Sequence, residues 1–117
     1  MQPNDIENLT DRLRNFTNAR DWEQFHSPKN LMLALVGEVG ELSEIFQWLS
    51  DEESLNLSKE TLDHTSHEIA DVFLYLLQLC DALNIDLISS AHKKIDLNNK
   101  KYPVIKCKGS PIKYTKL

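Results

Sequence analysis

An all-α subunit, a four-helix bundle-like unit assembled as an oligomer, is the fold class predicted by this 117-residue sequence, and three observations support it. Apolar residues recur at steps of three and four rather than two along most of the chain. Three glycines and four prolines are too few for a turn-rich β-sandwich, while Leu, Glu, Asp, Lys and Ala dominate. Two of the helical segments are apolar over more of their circumference than a lone bundle of this size can cover, which predicts a subunit interface. The length allows one domain, 1–117, with a basic tail over 103–117.

The elements follow in order. Ile6, Leu9, Leu13 and Phe16, with charges between them, predict an amphipathic helix from Asn4 to Asp21. Trp22 to His26 has no helical rhythm. Ser27-Pro28 is an N-cap followed by proline at the first helical position, and opens a second helix to about Leu49 that is apolar over most of its surface. Ser50 to Asn56 reads as an acidic link. Ser58 caps a third helix ending near Leu83-Asn84, which from Ile69 to Leu79 is apolar almost all round, interrupted only by Asp71 and Gln78. Asp86 caps a fourth, stopped by Tyr102-Pro103, and an extended tail follows.

Charge and cysteine usage exclude several function classes. Residues 1–96 hold all 18 acids and seven Lys/Arg, a balance of −11, whereas residues 97–117 carry six lysines and no acid. A body so acidic does not bind a nucleic-acid polymer; the tail either holds phosphates or is a solvated arm. The apolar run from Leu31 to Gly37 is far short of the ~20 residues that span a bilayer, so no membrane segment is expected, and the first residues carry no export signal. Cys80 and Cys107 form no disulfide framework and offer no metal spacing. A cytoplasmic or other reducing compartment suits them, and Cys80, among Leu77, Leu79 and Leu83, reads as core.

The carboxylates carry the chemical argument. Glu38 and Glu41 lie three apart in the second helix and share a face, and Glu68 and Asp71 repeat that spacing in the most apolar stretch of the chain. Buried unpaired carboxylates cost several kcal/mol each, and neighbouring like charges add to that. No Arg or Lys lies between Asn30 and Ser58 or between Glu60 and Ala91 to neutralise them. A divalent cation with oxygen ligands is the economical answer, and Mg²⁺ suits a site with few carboxylates and phosphate oxygens. Gly37 and Gly40, each costing ~1 kcal/mol in a helix interior, fit a place where a ligand or another backbone approaches. The bland alternative is two solvated acidic stripes. No Glu-x-x-His follows either pair, against a di-iron site, and His64 and His67 read as a polar helix start rather than zinc ligands.

The strings Arg20-Asp21-Trp22-Glu23-Gln24-Phe25-His26, Glu38-x-x-Glu41, Phe46-Gln47-Trp48, Glu68-x-x-Asp71 and Lys94-x-x-x-Asn98-x-x-Lys101-Tyr102-Pro103 closely resemble the MazG-like superfamily of all-α nucleoside triphosphate pyrophosphohydrolases, nearest its dCTP-hydrolysing branch. The resemblance runs from about residue 5 to 117, including Lys113-Tyr114-Thr115. The paired acids specify only the superfamily; the Arg-Asp-Trp-Glu-Gln-Phe-His and Phe-Gln-Trp strings are the specific part. It implies hydrolysis of a deoxynucleoside triphosphate to the monophosphate and pyrophosphate, in a tetramer of helical subunits. It also implies Mg²⁺ held by Glu38, Glu41, Glu68 and Asp71, with the base against Trp22, Glu23, Gln24, Phe25, His26, Trp48 and Tyr75. One departure is Leu13, where some members of the branch have histidine.

On this reading, water attacks the α-phosphorus, Glu38 and Glu41 are the catalytic carboxylates and Glu41 takes the proton. Trp22 and Trp48 offer flat faces to a pyrimidine, His26 and Gln24 offer polar contacts to its edge, and Tyr75 packs under the sugar. Lys94, Asn98 and Lys101 fall on one helical stripe facing phosphate or sugar, with Tyr102 beside them; a solvated face is the rival. Lys113 and Tyr114 close over a site from the same or a neighbouring subunit. The substrate is dCTP or a modified dCTP, serving nucleotide-pool sanitation. Alternatives are dUTP or a broad set of triphosphates, or, from another class, a non-catalytic helical oligomer that binds a partner.

Overall fold

The computed structural model describes residues 5–116, apart from the Tyr114 side chain, and every regular element among them is helical. They form two compact units, one up to Asn84 and one from Ile85 onward.

The first unit opens with α1, Asp5–Ala19. Asn4 lies outside the described residues, and the helix stops two residues before the predicted Asp21. Its end is a Schellman turn. Asp21 sits in the left-handed region at φ 54°, the Trp22 N–H donates to the Thr17 carbonyl at 3.0 Å, and the Asp21 N–H donates to the Asn18 carbonyl at 3.2 Å. A short aspartate tolerates that conformation, which usually goes to glycine. A 3₁₀ turn, Glu23–Phe25, follows where no helical rhythm is visible. It is pinned from both sides: the Gln24 amide donates to the Asp21 carbonyl at 2.9 Å, and the Asn30 amide donates to the Phe25 carbonyl at 2.9 Å.

α2 spans Pro28–Phe46 and starts as the sequence predicts, with the Ser27 hydroxyl accepting from the Asn30 N–H at 3.2 Å. It ends three residues before Leu49. The stretch expected to be an acidic link instead contains a five-residue helix, α3, Asp51–Leu55. A capping box nucleates it: Ser50 Oγ accepts from the Glu53 N–H, and Glu53 Oε1 accepts from the Ser50 N–H. α4, Lys59–Ala82, has the Ser58 cap and packs against both α2 and α1. Among the described residues, Leu31 of α2 and Leu77 and Cys80 of α4 are the buried apolar ones. Two buried threonines satisfy their hydroxyls on their own helices: Thr17 donates to the Arg14 carbonyl at 3.1 Å, and Thr65 to the Thr61 carbonyl at 2.7 Å. The Arg14 guanidinium forks onto both oxygens of Asp81, tying α1 to α4.

The second unit holds α5, Leu87–Lys101, with Asp86 Oδ1 accepting from the Ser89 N–H at 3.0 Å. The tail is not simply extended. Pro103 leads into α6, Val104–Cys107, Gly109 turns the chain at φ 80°, and a 3₁₀ turn spans Tyr114–Lys116. Proline's fixed φ suits the start of a helix as well as the end of one, so Tyr102-Pro103 stops α5 and starts α6 together.

Candidate active site

The α2–α4 pairing sets the site. Leu31 of α2 and Leu77 of α4 are buried; Glu38 lies seven residues after Leu31, on the same side of α2, and Glu68 lies three residues after the buried Thr65, on the same side of α4. One oxygen each from Glu38, Glu41 and Glu68 lies within 4.8 Å of the others. Glu38 Oε2 and Glu68 Oε2 are buried and have no hydrogen-bond partner. Orphaned carboxylate oxygens are rare in folded proteins, because each loses its hydration without recompense.

The electrostatics register the strain. The Glu38 carboxyl is pushed up from its ordinary 4.5 to about 7, first by desolvation and then by the charges of Glu41 and Asp71, a hydrogen bond with Glu41 and the charge of Glu68. Glu68 is raised too, by desolvation and by its hydrogen bond and charge contact with Glu41; only His64 pulls it down, its Nδ1 being 4.0 Å from Glu68 Oε1. Glu41, the most exposed of the three, thus lies close to both of the half-buried carboxylates. Asp71 is not in the tight triad but contributes charge to both Glu38 and Glu68. Hard oxygen donors, orphaned and crowded, with no lysine or arginine among them, fit a divalent cation. His64 and His67 are exposed and stand outside the triad, as a polar helix face does.

Beside the carboxylates is a cleft of about 470 Å³ between α1 and α4, lined by Trp22, His26, Asp71 and Tyr75, together with Leu13, Phe16 and Gln78. That is a size usual for small-molecule sites. Trp22 meets Phe16 edge to face, with centroids 5.7 Å apart at 74°, and the Arg20 guanidinium lies 3.7 Å above the other ring's centroid at Phe16. The Schellman turn is what swings Trp22 back to this wall. A second hollow of about 190 Å³ adjoins it, lined by Glu23, Arg14 and Asp81 and sharing His26, Leu13 and Gln78.

The structure therefore brings together Trp22, His26, Tyr75 and Asp71 in the cleft and Glu38, Glu41 and Glu68 next to it, with Glu23 in the smaller hollow. Gln24 and Phe25 are exposed and line neither; the Gln24 amide is engaged by Asp21. Trp48 follows α2 and is 86% exposed, outside the cleft. Lys94, Asn98 and Tyr102 belong to the second unit, on α5 and at its C-cap, with Asn98 accepting the Tyr102 N–H at 2.8 Å. Lys113 precedes the final 3₁₀ turn, and the Tyr114 side chain lies outside the described residues. Cys80 is buried as expected, and burial pushes its thiol up. Arg12, Phe16 and Gln78 were not legible as cleft residues: the first two read as an ordinary charge and a core stripe, while Gln78 had one signal, a polar break in an apolar run.

Comparison with known proteins extends the picture. A MazG-like family model matches residues 34–117. The chain is similar to dCTP pyrophosphatase 1 of Rattus norvegicus, 46% identical over 104 residues covering 87% of this chain and 61% of the relative. It is likewise similar to dCTP pyrophosphatase 1 of Homo sapiens, 44% identical over 104 residues with 87% and 61% covered. It thus spans about three fifths of the length of these curated relatives. Among solved structures it resembles a pyrophosphatase from Archaeoglobus fulgidus, with a TM-score of 0.77 and 41% identity over 88% of this chain and 96% of that one.

Proposed function

The chain belongs to the MazG-like family, and from that premise we propose that it hydrolyses a deoxynucleoside triphosphate, dCTP or a modified dCTP, to the monophosphate and pyrophosphate with Mg²⁺. The observation that carries the reading is the meeting of orphaned Glu38 and Glu68 oxygens with Glu41, next to an aromatic cleft sized for a nucleoside.

Each residue's part follows from its place. A triphosphate brings about four negative charges to a site already acidic, so Glu38, Glu41, Glu68 and Asp71 hold the cations that let it enter. When bound, Mg²⁺ supplies Lewis-acid charge for the phosphate oxygens and lowers the pKa of a nearby water. Glu41 is the exposed carboxylate of the three, open to solvent, and takes the proton from the attacking water. Glu38 and Glu68, half-buried and set by α2 and α4, fix the geometry around it. Trp22 supplies a ring face for the base and Tyr75 packs beneath the sugar, on the same wall as Asp71. The exposed apolar residues of α2 support assembly as an oligomer, a tetramer in this reading. Trp48, Lys94, Asn98 and Tyr102 are assigned to substrate in the assembled enzyme.

Purified protein given dCTP and Mg²⁺ yields dCMP and pyrophosphate, followed by ion-exchange chromatography; release of orthophosphate contradicts the proposal. Competition by the other common nucleotides establishes the base preference. Asp71→Asn, which removes one charge without changing shape, lowers kcat by about 100-fold or more while the protein stays folded by circular dichroism.

A further inference from the structure

The cleft wall on α4 contains one polar side chain to which the proposed chemistry gives no task. Gln78 is half-buried, lines both the 470 Å³ cleft and the 190 Å³ hollow beside it, and sits among Leu13, Leu31, Leu74 and Leu77 in an otherwise apolar stretch. Its amide nitrogen donates to the Leu74 carbonyl of its own helix across a long 3.4 Å. A carbonyl can engage only the NH₂ end of a carboxamide, so this contact fixes which end is which. The opposite end, Oε1, accepts no hydrogen bond among the described residues. An open acceptor on a residue that lines the cleft matches a donor on a ligand.

The position along α4 says which part of a nucleotide arrives there. Asp71, Tyr75 and Gln78 fall at i, i+4 and i+7, on one face, and all three line the cleft. At 1.5 Å per residue, the seven-residue step from Asp71 to Gln78 is about 10.5 Å, close to the reach of a nucleotide from its α-phosphate to its base edge. Phosphate at Asp71 and sugar at Tyr75 leave the base at Gln78.

We propose that Gln78 is a specificity-determining residue, its Oε1 accepting a hydrogen bond from the exocyclic amine of a cytosine-type base and opposing the carbonyl that uracil carries at the same place. This rests on the assignment of the cleft to a deoxynucleoside triphosphate and goes beyond it by naming the atom that reads the base. A site built around a hydrogen bond rejects an analogue that lacks the partner, because a polar group is then left unpaired.

The test compares kcat/KM for dCTP, dUTP and the deoxynucleoside triphosphate of 2-pyrimidinone, which is cytosine without its amine. Wild-type enzyme is expected to favour dCTP over the amine-free analogue by about tenfold or more. Gln78→Met, of similar length and apolar, is expected to treat the two alike and to lower the dCTP-to-dUTP ratio by about tenfold, with melting temperature little changed. Gln78→Glu, which keeps an acceptor, retains the preference for the amine-bearing base. Equal use of dCTP and its amine-free analogue by wild-type enzyme overturns the proposal without needing any variant, and so does an unchanged ratio in Gln78→Met. A wild-type chain that cleaves none of the three overturns instead the reading on which this one rests.

Discussion

A carboxylate buried beside other carboxylates stays protonated to higher pH in the folded chain than in the unfolded one, and Glu38, held up to about 7 against an ordinary 4.5, is such a group. Between those two values the folded state carries the extra proton, so unfolding releases it and stability declines as pH rises. Stability from this source is fully present below pH 4.5 and is lost as pH climbs through about 7. Glu68, raised for the same reason, acts in the same direction. In metal-free protein, then, the melting temperature is expected to fall between pH 4.5 and 7.5 more steeply than in Glu38→Gln, which cannot ionise. Adding Mg²⁺ should raise the wild-type melting temperature most at the alkaline end, since a cation binds the deprotonated form. Calorimetry across that pH range, with and without Mg²⁺, checks both; a flat metal-free profile would count against the convergence of these acids. That they converge was legible, since two i,i+3 pairs in apolar helices leave few other arrangements. That Asp71 stands outside the tight triad and faces the cleft was not, because spacing fixes a helix face but not how far along its neighbour that face reaches.

Among the elements, capping decides where helices begin, and capping residues are readable. Ser27, Ser58 and Asp86 each accept the N–H three residues on, and the helices start where these residues predicted. Ser58→Ala, which removes an acceptor for the Thr61 N–H, is expected to cost about 1 kcal/mol, or a few degrees in melting temperature. A thermal melt measures it, and Ser58→Asp should recover most of the loss. Ser50-x-x-Glu53 carried the same signal, but its five-residue helix was hidden by the acidity of the segment. The end of α1 was less legible. Its left-handed residue is Asp21 rather than glycine, and the turn that aims Trp22 at the cleft depends on backbone hydrogen bonds that no side-chain pattern announces. Gly37 and Gly40 have no explanation within the chain, since a Cβ at either meets nothing within 4 Å.

For the molecule as a whole, the decisive quantity is apolar surface left in water. Met32, Val36 and Val39 fall at i, i+4 and i+7 along α2, and each is about half exposed; Leu33 and, on α4, Leu62 and Ile69 add to the uncovered area. Only Leu31, Leu77 and Cys80 are buried among the described apolar residues. Isolated exposed hydrophobics are ordinary, but a continuous stripe on the helix that also carries Glu38 and Glu41 is the kind of surface a partner subunit covers. Covering it would tie assembly to catalysis, since the same helix that loses water on its outer face would be stiffened on its inner one. Light scattering should accordingly give a mass several times the 13.5 kDa of one chain. Val36→Glu combined with Val39→Glu places two charges in that stripe, and is expected to shift the mass toward the monomer and lower both melting temperature and turnover together. Glu44→Gln, a change on the exposed side of the same helix that touches no proposed ligand, should leave the mass unaltered. A wild-type chain that runs as a monomer with full turnover would instead mean that α2 needs no cover and that the site is complete within one subunit.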